Sequence, residues 1–417
     1  MKPALKKNAK SLIMSSYFLI ILNTLQVLIL ITLGFSTLYI FLFSVAGLFY
    51  RQPPYSTLPT LRRIAVLIPG YKEDDVIIDV AKDALSQDYP GEKYDVVIIA
   101  DSFQPDTIER LRMLPIIVIE VKFDKSTKSK ALNKAMEQLP DEYDIAVVLD
   151  ADNLMATDFL SKVNAAFEMN YMAVQGHRAA KNMDTHLAIL DAASEEINNH
   201  IFRKGHRVLG LSSAIIGSGM AFKYDFFKTM MLSVTAVGGF DKEIELKMLK
   251  DNHKIAYLDD ALVYDEKVQK AEVFSNQRRR WLSAQFHYFR QDFGSSLKAL
   301  VTRGNIDYFD KAIQFIQPPR VLLLGAVLLF GTLFFLINLF LKTNQIFVYL
   351  WISVVILCIL AFLFSIPVAF YNTRTLKALA SLPKGMLLMF GSLMKIKGAN
   401  KQFIHTKHGA VRTTQNQ

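Results

Sequence analysis

The sequence predicts an α/β domain held between membrane helices, and three observations support this. Apolar strand-like runs alternate with helical patterns through residues 62–285 of the 417-residue chain. Three blocks, residues 11–50, 321–341 and 343–373, contain no Asp, Glu, Lys or Arg. Short charged motifs directly follow three of the predicted strands. Alternating strands and helices indicate a mainly parallel sheet covered by helices. Each uncharged block reaches the roughly 20 residues that a membrane span needs.

The N-terminal membrane region, residues 1–51, holds one or two spans. Its uncharged block would form a helix of about 60 Å, twice the roughly 30 Å of the hydrocarbon core. Asn23, Thr24 and Gln26 would mark the break between two spans. The alternative is one span preceded by an interfacial helix. The block is too long for the h-region of a cleavable signal peptide.

Six strands and four helices are predicted within the domain. The strands are 63–68, 94–100, 116–121, 145–149, 172–175 and 215–222, and the helices are 76–87, 128–138, 157–170 and 184–204. Ligands bind at the carboxyl ends of strands in such sheets, so motifs that follow the strands are expected to share one crevice. The sequence has no Gly-x-Gly-x-x-Gly motif and no Walker loop, which disfavours a dinucleotide enzyme and a P-loop ATPase.

The C-terminal third alternates interfacial and spanning segments. Residues 286–318 are rich in aromatic and basic side chains, which is typical of helices at a membrane surface. Residues 319–341 and 346–371 are expected to be transmembrane helices. Residues 380–398 form another predicted interfacial helix, and 399–417 a cytosolic tail.

The net charge of +10 is concentrated near the predicted spans. The clustered basic residues are Lys2, Lys6, Lys7, Lys10, Arg51, Arg62, Arg63, Arg374, Lys377, Lys395, Lys397 and Lys401. Positive segments stay cytoplasmic, so we expect an integral protein of the bacterial inner (plasma) membrane with a cytosolic domain. Charge beside spans fits membrane lipid as a partner better than nucleic acid. The single cysteine, Cys358, excludes a disulfide or a cysteine-based metal site within one chain.

Asp150 and Asp152 follow a very apolar predicted strand. Mg²⁺ and Mn²⁺ bind such carboxylate pairs and complete their shell with substrate phosphates. A bound ion would offset the charge of a diphosphate and stabilise a departing nucleotide. The alternative is a turn or cap before the helix predicted at 157.

Three other motifs are weaker when taken singly. Asp101 follows a strand, where a carboxylate accepts hydrogen bonds from a base or a sugar hydroxyl. Pro69, Tyr71 and Glu73 would form a loop around a nucleoside, and Lys130 begins a predicted helix. The alternatives are a turn-forming aspartate, an ordinary βα turn and a solvated lysine.

Two further motifs lie near the end of the domain. Glu243 follows Gly238-Gly239 at a helix start, where a carboxylate suits a general base. The helix dipole alone also favours acids there. Gln277, Arg280 and Trp281 lie on a probable helix, where arginine suits diphosphate oxygens and tryptophan offers a face to a sugar ring. The alternative is a basic, aromatic helix at the membrane edge.

In this order, the motifs resemble those of the membrane-bound family 2 glycosyltransferases of the processive type, which include cellulose, hyaluronan and poly-N-acetylglucosamine synthases. The resemblance covers residues 64–281 and the spans that follow. It implies a GT-A fold, a nucleotide-sugar donor that is usually UDP-linked, a divalent metal (Mg²⁺ or Mn²⁺) and inverting transfer.

The resemblance also assigns roles to the motif residues. It implies that the nucleotide-sugar is held by Pro69, Tyr71, Glu73, Asp101, Lys130 and Asp150, the metal by Asp150 and Asp152, and the diphosphate and acceptor by Gln277, Arg280 and Trp281. Glu243 stands where the family has its catalytic aspartate, and the nearby Asp241 is the alternative base. Because two clear spans follow the domain, polymer export would need a partner subunit or a homo-oligomer.

The leading hypothesis is an inverting glycosyltransferase that extends a polysaccharide at the cytosolic membrane face. The alternative is transfer of one sugar to a lipid acceptor, such as a polyprenyl phosphate or a diacylglycerol. A non-catalytic membrane scaffold is a third hypothesis, and it predicts no need for Asp150, Asp152 or Glu243.

Overall fold

A computed structural model describes residues 2–56, 59–236, 238–341 and 345–396, with side chains from residue 17 onward. The predicted tail, 399–417, lies outside this part. The strands are β1 Ile64–Tyr71, β2 Tyr94–Asp101, β3 Ile117–Val121, β4 Ile145–Val148, β5 Leu154–Met155, β6 Ala173–Ala180, β7 Met220–Lys223 and β8 Ile255–Asp265. The helices are α1 Lys2–Gly47, α2 Ile77–Ala84, α3 Pro105–Arg112, α4 Lys128–Gln138, α5 Phe159–Phe167, α6 His186–Asn198, α7 His206–Val208, α8 Tyr224–Met231, α9 Phe240–Lys250, α10 Ala271–Arg303, α11 Ile306–Ile316, α12 Arg320–Phe340, α13 Gln345–Ser365, α14 Thr373–Leu379 and α15 Leu382–Met394. A π-helix, Asn199–Gly205, joins α6 to α7, and Gly91–Lys93 and Val368–Phe370 are 3₁₀ turns.

The strands form one eight-stranded sheet in the order β3-β2-β1-β4-β7-β6-β8-β5. The first four strands in this order are mutually parallel, β7 runs against both of its neighbours, and β8 is parallel to β6. The carboxyl ends of β1, β2, β4, β6 and β8 therefore lie at one edge, together with the amino end of β7. The α/β class expected from the sequence is confirmed. The sheet is mixed because β7, in the middle of the order, runs antiparallel to its neighbours.

The sheet is buried on both faces. Successive side chains of β1 alternate between two hydrophobic cores: Ala65 and Leu67 pack on one face, and Val66 and Ile68 on the other. This is the period of two that a strand imposes. Since both faces are covered, the strand ends at the edge remain the part of the sheet open to a ligand.

One predicted strand, 215–222, is shorter in the structure, where β7 begins at Met220. Gly217 and Gly219 have φ angles of 80° and 61°, so the backbone between them leaves the extended region. The resulting glycine loop lies at the edge formed by the carboxyl ends of β1, β2, β4, β6 and β8, which is the ligand edge of the sheet.

The first apolar block forms one continuous helix, α1, whose candidate membrane span is Tyr17–Gly47. Two of the three polar residues that would have marked a break, Thr24 and Gln26, form hydrogen bonds in the structure, whereas the buried Asn23 Oδ1 has no partner among the described residues. Thr24 Oγ1 donates to the Ile20 carbonyl at 2.9 Å, and Gln26 Oε1 accepts from Asn338 Nδ2 of α12 at 3.2 Å. The structure therefore has one continuous helix with one candidate span here, and the number of membrane crossings stays a prediction.

Two more helices of the described residues, α12 and α13, are long and apolar enough to cross a membrane. Helix α10 runs unbroken across the domain boundary predicted at residue 285. Tyr308 and Ala312 of α11 are fully buried, and Tyr308 belongs to the same core as the sheet. The predicted interfacial segment 286–318 thus packs as part of the domain; its position at a membrane surface stays a prediction.

Candidate active site

The ligand edge of the sheet opens into a cleft of about 510 Å³. Ten of the predicted site residues line it: Pro69, Tyr71, Glu73, Asp101, Asp150, Asp152, Asp241, Gln277, Arg280 and Trp281. Lys130 and Glu243 do not line the cleft. The sheet topology explains why these residues lie close together, because the strands that carry or precede most of them end at this edge.

Tight turns after β1 and β2 form one wall of the cleft. Lys72 and Ser102 have φ angles of 54° and 61°, a left-handed conformation that is costly for residues with a Cβ and is often found at functional sites. The Lys72 amide donates to the Asp101 carbonyl at 3.1 Å, and Ser102 Oγ donates to Asp101 Oδ1 at 2.9 Å. Asp101 is 2% exposed, so its carboxylate is fixed at the strand end.

Lys128, at the start of α4, contacts Asp150, the first of the two predicted metal ligands. Its Nζ donates to Asp150 Oδ1 at 2.6 Å and to the Gly217 carbonyl at 2.7 Å. Lys130, the lysine that the sequence favoured, donates instead to the Lys125 carbonyl at 3.0 Å on the protein surface. The structure therefore places Lys130 away from the site predicted for it, with Lys128 in its place.

Asp152 is 3% exposed and is held by its surroundings. Asn153 Nδ2 donates to Asp152 Oδ1 at 3.2 Å, and the Glu266 amide donates to Oδ2 at 3.4 Å. In the described chain no three His, Cys, Asp or Glu side chains gather as ligands of one ion. Asp150 and Asp152 supply the one or two carboxylates that Mg²⁺ usually takes beside substrate phosphates, so this donor set fits such an ion.

Helix α9 presents Asp241, not Glu243, to the cleft. The N-cap residue Gly239 has a φ of 72°, which turns the chain sharply into the helix. Asp241 lines the cleft in the first turn. Glu243 Oε1 instead pairs with Lys247 Nζ at 2.6 Å, one turn along the same helix. Of the two carboxylates that the sequence left open, Asp241 is the one that lines the cleft.

The opposite wall comes from α10, which carries Gln277, Arg280 and Trp281 into the cleft. Burial lowers the pKa of Arg280, and the charge of Asp150 partly opposes this effect. The guanidinium carbon of Arg278 lies 4.3 Å from the Trp281 ring centroid, and Arg278 also pairs with Asp191. Arg278 therefore fixes the ring of Trp281.

A buried ionic cluster, missed in the sequence, lies behind Asp152. Glu195 binds Arg178 at 2.9 Å and Arg203 at 3.4 Å, while Asp265 binds Lys267 at 2.9 Å. Burial alone would raise the pKa of Asp265, but Arg178 and Lys267 outweigh it and lower that pKa. The sequence signal that could have identified this cluster is the position of its residues. Arg178 and Asp265 lie near the ends of β6 and β8, which meet at the same edge of the sheet.

The chain belongs to a known family of glycosyltransferases. A model of the family described as "Glycosyltransferase like family 2" matches residues 61–284, more than half of the 417-residue chain. A beta-monoglucosyldiacylglycerol synthase of Synechocystis sp. is 25% identical over 240 residues, which cover 54% of this chain and 48% of that protein. An N-acetylglucosaminyltransferase of Rhizobium meliloti is 25% identical over 248 residues, covering 56% of this chain and 58% of that protein. The chain spans about half the length of the curated relatives it matches.

Among solved structures, a mannosyltransferase from Pyrobaculum calidifontis in complex with GDP-Man and Mn²⁺ has a TM-score of 0.47 and 18% identity. It covers 82% of this chain and 98% of its own. A Staphylococcus aureus TarS fragment in complex with UDP-GlcNAc has a TM-score of 0.39 and 13% identity, with coverage of 82% and 93%.

Proposed function

Because the chain belongs to the glycosyltransferase like family 2, we propose that it moves a hexose from a nucleotide-diphosphate sugar to a membrane lipid, inverting the anomeric carbon. UDP is the expected nucleotide. One observation carries the acceptor assignment. The cleft that contains Asp150 and Asp241 is also lined by Ile40 and Val321, which belong to two candidate spans.

The transfer needs one base and a stabilised leaving group. Asp241 takes the proton of the acceptor hydroxyl as its oxygen attacks the sugar C1. The bond from C1 to the diphosphate oxygen breaks, and its electron pair leaves with the nucleoside diphosphate. Attack from the face opposite the leaving group inverts C1.

The charge that develops on the diphosphate meets cationic groups of the cleft. Lys128 lies against Asp150, and Arg280 reaches the cleft from α10. Arginine forks suit paired diphosphate oxygens. Asp150 and Asp152 would hold a divalent ion, which when bound adds positive charge at those oxygens. Asp101 and Tyr71 are proposed to contact the nucleoside, as the resemblance implies.

The relatives support two acceptor classes. The cyanobacterial relatives are named for a glucosylated diacylglycerol, which fits a cleft that reaches the spans. A growing polysaccharide is the second candidate, because the sequence motifs resemble those of processive enzymes; the Rhizobium meliloti relative is named for the transfer of N-acetylglucosamine, without an acceptor. Product size separates the two classes: a single glycolipid against a ladder or high polymer.

The test is nucleotide release by the purified full chain in detergent, with UDP- and GDP-sugars, Mg²⁺ or Mn²⁺, and added membrane lipids. We expect release from one donor and a lipid-linked product. Chelation of divalent ions and the substitutions Asp152→Asn and Asp241→Asn should abolish it, whereas Glu243→Gln on the same helix is the matched control. Release that survives in both aspartate variants, or no release from any donor, would contradict the proposal.

A further inference from the structure

The cleft has a second polar region on its membrane side, away from the sheet edge. Here Gln317 and Arg320 stand at the start of α12, and Gln277 faces the cleft from α10. Gln277 Oε1, both amide atoms of Gln317 and Arg320 Nε are buried without a hydrogen-bond partner among the described residues. Buried polar atoms are nearly always paired in folded proteins, so this group of unpaired atoms indicates a missing polar ligand.

The positive charge of Arg320 indicates that the missing ligand is an anion. Within the described residues its guanidinium forms no ion pair, and it packs 5.2 Å from the Phe202 ring centroid. Glu195 is the acid that acts on it electrostatically, but that carboxylate is already paired with Arg178 and Arg203. An arginine left uncompensated in a cleft favours an anion, and its planar fork of donors matches phosphate oxygens.

Arg320 lies beside both charged and apolar groups. Arg203 and Arg278 act on it electrostatically and add to the positive charge. Apolar residues also line the cleft: Ile40, Phe202, Phe315, Val321 and Met389. Ile40 and Val321 belong to helices α1 and α12, so this wall is continuous with two candidate membrane spans. A ligand that fits here has an anionic head next to an apolar tail.

We propose that the membrane side of the cleft is an acceptor subsite in which Arg320 and Gln317 bind the phosphate group of an anionic lipid. This inference rests on the proposed function and narrows its acceptor to a phosphate-bearing lipid. Arg320 and Gln317 are positioning residues here: they hold the phosphate of the lipid while a hydroxyl of the same lipid faces Asp241.

A binding experiment tests the subsite directly. The full chain in detergent micelles is mixed with dioleoyl phosphatidic acid or with dioleoylglycerol, and retained lipid is measured by native mass spectrometry. Wild type is expected to prefer phosphatidic acid about tenfold or more, the size of one charge-assisted hydrogen bond. Arg320→Gln and Gln317→Leu should reduce this preference, and Arg320→Lys should keep part of it. Arg374→Gln, at an exposed arginine of α14, is the matched control.

A third arm adds inorganic phosphate in excess. We expect it not to displace phosphatidic acid, because the tail contributes apolar contacts that free phosphate lacks. Displacement would identify a site for soluble phosphate and overturn the lipid assignment. Equal retention of both lipids by wild type, or an unchanged preference in folded Arg320→Gln and Gln317→Leu, would also overturn it.

Sugar transfer measured in the same preparations separates this inference from the proposed function. Arg320→Gln is expected to raise the acceptor KM about tenfold while the donor KM stays within about twofold. Transfer by wild type with no effect of Arg320→Gln on either lipid binding or acceptor KM refutes only the subsite. Phosphatidic acid binding that depends on Arg320, without transfer from any donor, refutes only the proposed function.

Discussion

At the residue scale, two carboxylates of α9 lie two positions apart and face different surroundings. Asp241 lines the cleft, whereas Glu243 is paired with Lys247. We expect Asp241→Asn to lower kcat by about 10²- to 10⁴-fold, the usual contribution of a general base. Glu243→Gln should lower kcat by less than about threefold, because the partly buried ion pair that it removes does not line the cleft.

Both variants are measured by nucleotide release at saturating donor, with thermal unfolding to show that each protein is folded. A reversed order, in which Glu243→Gln is inactive and Asp241→Asn active, would return the base to the position that the family resemblance indicated.

A second residue-scale prediction concerns the lysines of α4. Lys128 Nζ donates a hydrogen bond to Asp150, whereas Lys130 Nζ donates to the Lys125 carbonyl. Lys128→Met is expected to raise the donor KM about tenfold or more, since it removes a charge-assisted hydrogen bond near the diphosphate. Lys130→Met is the matched control and should change the donor KM by less than about twofold. Equal effects of the two variants on the donor KM would contradict this assignment.

At the element scale, the helix that carries these lysines was predicted with its observed bounds, Lys128–Gln138, but the lysine of its first turn that reaches the cleft was not. Successive residues of a helix turn by about 100°, so positions 128 and 130 point about 200° apart. Apolar residues mark the buried side, yet the first turn projects beyond the core, where the pattern gives no direction. Only the position of Asp150, two residues after the end of β4, selects Lys128.

Strand positions show a similar limit. The parallel strands β1 to β4 were predicted because they are continuous apolar runs, which is typical of strands buried on both faces. Strand β8, Ile255–Asp265, was missed: Asp259 and Asp260 interrupt its apolar pattern beside a register shift in its pairing with β6. These two aspartates obscure the strand pattern in the sequence. In the structure they have a structural role, since Asp259 pairs with His177.

His177 links three elements and makes stability depend on pH. From β6 it contacts Asp259 of β8 at 3.1 Å and Glu196 of α6 at 3.0 Å; Lys204 also pairs with Asp259, at 2.8 Å. Burial alone would lower the pKa of His177, but the two carboxylates raise it to about 9. The protonated imidazole therefore stabilises the fold fully below its unfolded pKa of about 6.5, and this contribution is lost as the pH rises through about 9.

We expect His177→Gln to destabilise the protein by the order of 3 kcal/mol near pH 6. The difference from wild type should shrink steadily toward pH 9.5. The measurement is the Tm of both proteins at pH 6, 8 and 9.5 in one detergent. A Tm difference that stays constant across this range would show that packing, and not charge, explains the loss.

At the scale of the whole molecule, the number of spans was the question that composition left undecided. An uncharged block of 40 residues is compatible with one long helix or two short ones, since hydropathy carries no information on where a helix breaks. The structure has one continuous helix here, in which Gln26 Oε1 accepts a hydrogen bond from Asn338 Nδ2 of α12, so a polar residue inside α1 has a partner on a neighbouring candidate span. Such pairing is a tertiary property that a single segment does not reveal.

The orientation of the molecule follows from charge and is open to a direct test. Helix α12 starts at the cleft with Arg320 and ends near Leu341, about 30 Å away, which is the thickness of the hydrocarbon core. The basic residues on the domain side of the spans, Arg51, Arg62, Arg63, Arg374, Lys377 and Lys395, outnumber Lys2, Lys6, Lys7 and Lys10 at the other end of α1. This balance predicts a cytosolic domain, with Leu341 and the start of α1 at the outer face. Cys358 is fully buried, so a Cys358→Ser background leaves room for single reporters.

In that background, Met113→Cys marks the domain, where Met113 is 76% exposed, and Leu341→Cys marks the far end of α12, where Leu341 is 49% exposed. A membrane-impermeant maleimide is expected to label Leu341→Cys on intact cells and Met113→Cys only after lysis. Both variants must label in detergent, which controls for reactivity. Labelling of Met113→Cys on intact cells would place the domain outside, and the positive-inside argument for this chain would then be wrong. The expected pattern instead places the cleft on the cytosolic side, with α12 leading from Arg320 across the membrane.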